Sequence, residues 1–176
     1  GQGRAQLSTT QHSTTLTLGH LKGGEDNVRE TERGFGAELS TQAFGALRAG
    51  QGLLLSTEPG EPQLAANQAL TQLQESAELL QSLNESAVNQ QAQLPEEPTK
   101  LQAHDALEQL QESLRATQSG SAAGSISGGD GDAPGWDKPV LMGSGVAGVM
   151  SLTPADQVWV SGTHTTLASG VALNWL

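Results

Sequence analysis

Residues 139–176 read PVLMGSGVAGVMSLTPADQVWVSGTHTTLASGVALNWL. Val140, Val149, Val158, Leu167 and Leu176 stand nine apart in this stretch, and Leu141, Met150, Trp159 and Ala168 repeat the step one position later. The same spacing occurs early in the chain at Phe35, Phe44 and Leu53, echoed by Ala37, Ala46 and Leu55, and more weakly at Leu7 and Leu16. Gly45, Gly52, Gly143, Pro154, Gly162 and Gly170 punctuate these short apolar runs. Strand side chains alternate with period two, so an odd step of nine turns the inward face over at every unit unless a corner absorbs one residue. Gly and Pro permit such corners. The pattern predicts a mainly β stack of short strands with bends, a β-helix or β-prism.

Each unit supplies one short strand and two or three inward apolar side chains. That is little surface to set against a backbone ordering cost of roughly 1–2 kcal/mol per residue. Three chains wound about one axis would cover each other's apolar rows, so a homotrimer is expected. The competing architecture, a calcium-binding nonapeptide roll, needs an Asp-bearing Gly-rich turn in every unit. Here Gly128-Gly-Asp-Gly-Asp132 occurs once and is followed by Ala133.

The stack is interrupted. Leu70, Leu73, Ala77, Leu80, Asn84, Ala87, Gln91 and Leu94 step by three and four, as do Ala103, Leu107, Leu110, Leu114 and Thr117. This is the spacing of one stripe on a helix face. Pro95 and Pro98 separate the two, and Thr99 with Gln102 fits a capping box for the second helix. A loop this short predicts an antiparallel helical hairpin. Charge follows the same borders. Residues 1–57 balance, whereas 58–118 carry ten acidic groups against Lys100 and Arg115. Four segments result: a β-helical segment over 1–57, an acidic hairpin over 58–118, a Gly/Ser-rich linker over 119–138, and a second β-helical segment from 139 to 176.

Composition excludes several classes. The 176 residues carry a net charge of −11, with no Cys, 3% aromatic residues and 35% hydrophobic. Without Cys there is no disulfide framework, thiolate metal site or thiol nucleophile. Three Lys and five Arg make no footprint for a phosphate backbone, so nucleic acid is not expected as a partner. The longest apolar-leaning run, Val140 to Leu152, is broken by three Gly and is too short to span a bilayer, so no transmembrane segment is expected. The chain opens at Gly1 without a leader and its repeat is still running at Leu176, so it is expected to be a piece of a longer protein.

No catalytic constellation is found. His12 and His20 lie eight apart with no carboxylate between them, and His104 beside Asp105 is expected at the helix surface. An enzyme reading would have to gather a metal from His12, His20, Glu25 and Asp26, with no recognisable motif to support it. Asp130-Gly-Asp132-Ala-Pro134-Gly135 starts like a calcium loop but has Leu141 where the bidentate Glu belongs, so a disordered linker is expected there. No G-x-S-x-G elbow or phosphate loop occurs. No catalytic, cofactor-binding or metal residue is therefore assigned, and no cofactor.

Four stretches carry a resemblance. Gly1 to Gly19 is similar to the strand pair opening the late part of VgrG proteins, the spikes of bacterial type VI secretion systems (the Rhs element Vgr family). Arg33-Gly-Phe-Gly-Ala-Glu-Leu-Ser-Thr41 and Ala46-Leu-Arg-Ala-Gly-Gln-Gly-Leu-Leu-Leu-Ser-Thr57 resemble that family's R-G-x-G-x-E-L-x-T and A-x-R-A-G-x-G-L-L-L-S-T. Residues from Asn67 look like its helical insertion. Pro139 to Pro154 is similar to the start of its C-terminal extension, although Gly143-Ser-Gly145-Val replaces the usual S-A-P-A. The resemblance implies a non-enzymatic, trimeric β-helical spike made in the bacterial cytoplasm and driven into target cells by a contractile apparatus. Its implied partners are an effector or adaptor, a tip-capping protein and, through a base absent from this chain, the tail-tube protein. A phage tail needle or an adhesin stalk would share the repeat but not the run over 33–57.

Overall fold

A computed structural model describes residues 3–23, 31–60, 62–92, 101–115, 117–119 and 132–174. Expectations for Leu94, Pro95, Pro98, Thr99, Glu25, Asp26, Leu176 and most of the Gly/Ser tract lie outside them. The architecture is mainly β with two helices, and the chain divides into two units, residues 1–48 and 49–176.

The first unit is an antiparallel meander of β1 (Arg4–Ser8), β2 (Thr15–Lys22) and β3 (Glu32–Ser40), with β2 in the centre. The β1–β2 turn is closed by the Thr9 amide donating to the Thr14 carbonyl at 2.9 Å. His12 and Ser13 take positive φ there (58° and 46°), a conformation L-residues adopt mainly in turns. Leu7 pairs with Leu16, which pairs with Leu39. The nine-residue step from Leu7 to Leu16 is thus the span of a hairpin, with the two residues opposite one another, and not one winding of a stack.

In the second unit β4 (Leu53–Ser56) pairs in parallel with β7 (Leu141–Ser144), in unbroken register from Leu53↔Leu141 to Ser56↔Ser144. Parallel neighbours need a long crossover. Here it contains α1 (Asn67–Asn89), α2 (Gln102–Leu114) and a short antiparallel pair, β5 (Thr117–Ser119) with β6 (Asp132–Pro134). The Gln111 side chain donates to the Leu70 carbonyl, and Arg115 donates to the Gln74 side chain at 3.0 Å. The end of α2 therefore lies against the start of α1, which makes the pair antiparallel. The predicted stripe is the covered one: Leu73, Leu80, Asn84 and Ala87 are half-buried and Ala77 is buried.

Both helix ends differ from expectation. α1 stops at Asn89, before the prolines, because Gln91 turns to φ 55° and the Ala92 amide returns to the Ala87 carbonyl. This is the left-handed closure common at helix C-termini. α2 begins after Leu101, whose extended backbone (φ −68°, ψ 128°) makes it the cap, with no capping side chain among the described residues. Thr117, expected on the helical stripe, belongs to β5.

The small core joins Ala66, Ala77, Leu114 and Trp136, the last only 3% exposed. Gly52, at φ 132°, leaves the space that the Trp136 ring fills, and a methyl group added there would overlap the ring. Part of the segment expected as a linker (119–138) is therefore structured: it holds β6 and the last residue of β5, and Trp136 in it is the best-buried aromatic side chain among the described residues. The Asp137 amide donates to the Ser113 carbonyl at 3.1 Å and ties this segment to the end of α2.

After β7 the character changes. Every residue from Val146 to Asn174 is exposed, and none of them pairs as a strand within the chain. Small hydrogen-bonded corners recur along it. The Gly148 amide donates to Gly145 O, the Ala155 amide to Thr153 Oγ1, Ser161 Oγ to His164 O, and Ser169 Oγ to Ala172 O. Gly145, Thr153, Ser161 and Ser169 are eight residues apart. These corners do not follow the expected step of nine. An even step suits an extended chain better, since it keeps the same side-chain face inward from one corner to the next.

Candidate interaction site: apolar rows and a pinned helical hairpin

Strand alternation sorts the first unit's meander into two faces. Ala5 and Leu7, Leu16 and Leu18, and Ala37 and Leu39 fall on one face through their pairings, and Leu7 and Leu39 are largely exposed. His20 and Phe35, also paired on this face, stack edge to face with centroids 6.0 Å apart. The opposite face carries Thr17, which is buried, and Glu38, whose carboxylate accepts two hydrogen bonds from Arg33 at 2.6 and 2.8 Å. An exposed apolar face backed by a polar one is an interaction surface by its chemistry.

The second unit repeats the situation after β7. Leu152 and Val160, one eight-residue step apart, are 85% and 89% exposed, and Val149, Val158, Trp159 and Leu167 are exposed as well.

Between β4 and β7 the hairpin is pinned at its root by Glu58. One oxygen of its carboxylate accepts the Gln68 amide at 2.9 Å. The other accepts the Ala69 amide at 3.1 Å and the Ser144 hydroxyl at 2.9 Å. The helix's own cap, Ala66, offers no side-chain acceptor. Glu58 thus satisfies two of the orphan amides of the first turn from outside the helix, where a negative charge is favoured. Partial desolvation pushes its pKa up, but the hydrogen bonds from Gln68, Ser144 and Ala69 outweigh it and hold the carboxyl below its ordinary range. Val146 donates to Thr57 Oγ1 beside it, extending the join between the two strand ends. No sequence motif marked Glu58; the only signal was a carboxylate standing nine residues before a helix that lacks a cap.

His12 and His20 are not brought together: one lies in the β1–β2 turn and the other near the far end of β2. His20 lies 3.8 Å from Glu32, which also approaches Lys22. His164 sits in an exposed corner. His104, expected at the surface, is instead buried at 7% exposure, because α2 turns that position toward α1. No helix among the described residues is long and apolar enough to cross a membrane.

Residues 1–87 match the family model described as putative type VI secretion system Rhs element Vgr. No curated protein sequence matches the chain. Among solved structures, the VgrG spike from the Type 6 secretion system is similar over all of this chain and 58% of its own, with TM-score 0.74 and 22% identity. The structure of the Tle1 effector bound to the VgrG spike matches with the same TM-score and identity, over all of this chain and 47% of that one. The chain thus spans about half the length of the solved spikes it resembles. The family match thus covers residues 1–87, just under half of the chain, and the whole chain shares the fold of the solved VgrG spikes.

Proposed function

We propose that the chain is the late segment of a type VI secretion spike: a homotrimeric, non-enzymatic shaft that carries effectors or a tip protein into target cells. The observation that carries this reading is the exposure of Leu152, Val158 and Val160 along a cornered run that covers none of them within its own chain. Apolar rows on this scale call for a partner, and identical neighbours winding alongside supply one at every step. A closed three-chain winding also leaves no free strand edge, which suits a needle under axial load. The parallel β4–β7 pair supports the same reading, since strands stacked in parallel are what successive rungs of a winding present.

Within this shaft, residues 1–57 and 139–176 form the β-helical parts, 58–118 an acidic hairpin that projects to dock an effector or adaptor, and 119–138 the connection back. The docking role draws on the ten acidic groups of the hairpin region and on the Tle1 effector bound to a spike of the same fold. The protein is synthesised in the bacterial cytoplasm and expelled with the contractile apparatus, resting on the tail tube through a base outside this chain.

Light scattering of the purified chain tests the shaft. A mass of three copies is expected, and a monodisperse single copy overturns the reading. Deleting residues 60–118 and measuring co-purification of a Tle1-type effector tests the hairpin; unchanged recovery removes its docking role.

A further inference from the structure

We propose that the helical hairpin holds a divalent transition-metal site, built by His104, Asp105 and Glu108 on α2 and suited to Zn²⁺ or an ion of similar preference. Nδ1 of His104 lies 3.4 Å from Glu108 Oε2 and 3.8 Å from Asp105 Oδ1, and one ligand atom from each residue falls within 4.8 Å of the others. A tetrahedral ion bonded at about 2.0–2.2 Å spaces its ligands about 3.3–3.6 Å apart, so small side-chain adjustments seat one ion among the three. One imidazole with two carboxylates is a donor set such ions accept. The geometry follows from sequence: His104 and Glu108 stand four apart on one helix face, and Asp105 adds a carboxylate from the next position.

A second observation points to a ligand. The His104 side chain is nine-tenths buried, and its Nδ1 is sealed from solvent with no hydrogen-bond partner among the described residues. Buried ring nitrogens are ordinarily satisfied, and this one is turned toward two carboxylates at distances that suit coordination better than a hydrogen bond. The groove beside it, about 300 Å³, is lined across the hairpin by Leu80, Asn84 and Glu85 of α1. It leaves room for the remaining coordination positions, filled by water or by a group from α1. An ion here would fasten the middle of the hairpin, as Glu58 fastens its root. The site is independent of the spike reading.

The test titrates the full 176-residue chain, stripped with a chelator, first with Co²⁺ and then with Zn²⁺. Expected are one Co²⁺ per chain, a visible absorption band of low-coordinate cobalt, and its loss as Zn²⁺ displaces the ion. His104→Gln and Glu108→Gln should each weaken binding at least about tenfold, while the double variant His12→Gln/His20→Gln titrates like the parent. The proposal is overturned if no stoichiometric ion binds, if His104→Gln binds like the parent, or if the His12/His20 variant abolishes binding. Should His104→Gln lose the helical circular dichroism signal, Asp105→Asn and Glu108→Gln decide, since both side chains are about half exposed. Unchanged affinity in both sinks the site.

Discussion

The helical hairpin and the run from Val146 to Asn174 belong to the same unit and handle their apolar residues in opposite ways. The hairpin turns Leu73, Ala77 and Leu80 toward α2 and finds its own cover, closed at the root by Trp136 and Glu58. The later run turns corner after corner and covers nothing. A helix pair completes a small core within one chain because stripes on two short rods can face each other. An extended chain with one strand per corner has no second layer of its own. The hairpin's stability is therefore a property of the chain, and on the proposed trimeric reading the run's is a property of the assembly.

The hardest blow to that distinction is the double change Leu152→Asp with Val160→Asp. It should reduce the light-scattering mass from three copies to one while the helical circular dichroism signal persists, because each apolar side chain that is covered contributes about 1.5–3 kcal/mol in every copy. Loss of the helical signal together with the mass would break the comparison. Trp136→Ala strikes the other side. A cavity of that size costs about 3–5 kcal/mol, read as a lower denaturation midpoint for the helical signal. Gly52→Ala, which drives a methyl group into the same ring from a backbone at φ 132°, should cost about 2 kcal/mol in the same measurement.

The smallest expected effect is the most specific. Glu58→Gln should cost about 1 kcal/mol at neutral pH, the scale of a lost helix cap. Because the folded-state pKa of Glu58 is lowered, the unfolded chain binds its proton more readily. The carboxylate's contribution is complete above the ordinary carboxylate range and fades as the pH falls through the lower folded value. The parent and the Glu58→Gln variant should therefore converge in stability in acid. A gap that stays constant with pH would assign Glu58 a packing role instead.

The hairpin was legible in sequence because its signal is local: three-and-four spacing fixes a face whatever lies across from it. The Arg33–Thr57 run was legible as a resemblance, and β4 and all of β3 but Glu32 fall within it. Less legible were features set by distant partners. The cap at Leu101 carries no capping residue type, and the burial of His104 depends on where α1 runs. Trp136 looked like the end of a linker because nothing nearby in sequence announces the gap above Gly52, 84 positions earlier. The eight-residue spacing of the corners was hidden for a related reason. Valines nine apart are conspicuous, whereas corners eight apart are marked by Gly, Thr and Ser, which are common throughout this chain.

The unbroken register of β4 against β7 has one further consequence. The polypeptide leaves the ladder at Ser56 and rejoins it alongside at Leu141, with no slip between Leu53 and Ser144. The detour is thus invisible to the strand order: it leaves the pairing of β4 with β7 unshifted. A detour of that kind behaves as a cassette, able to lengthen or shorten while the strand pair that bears it keeps its alignment.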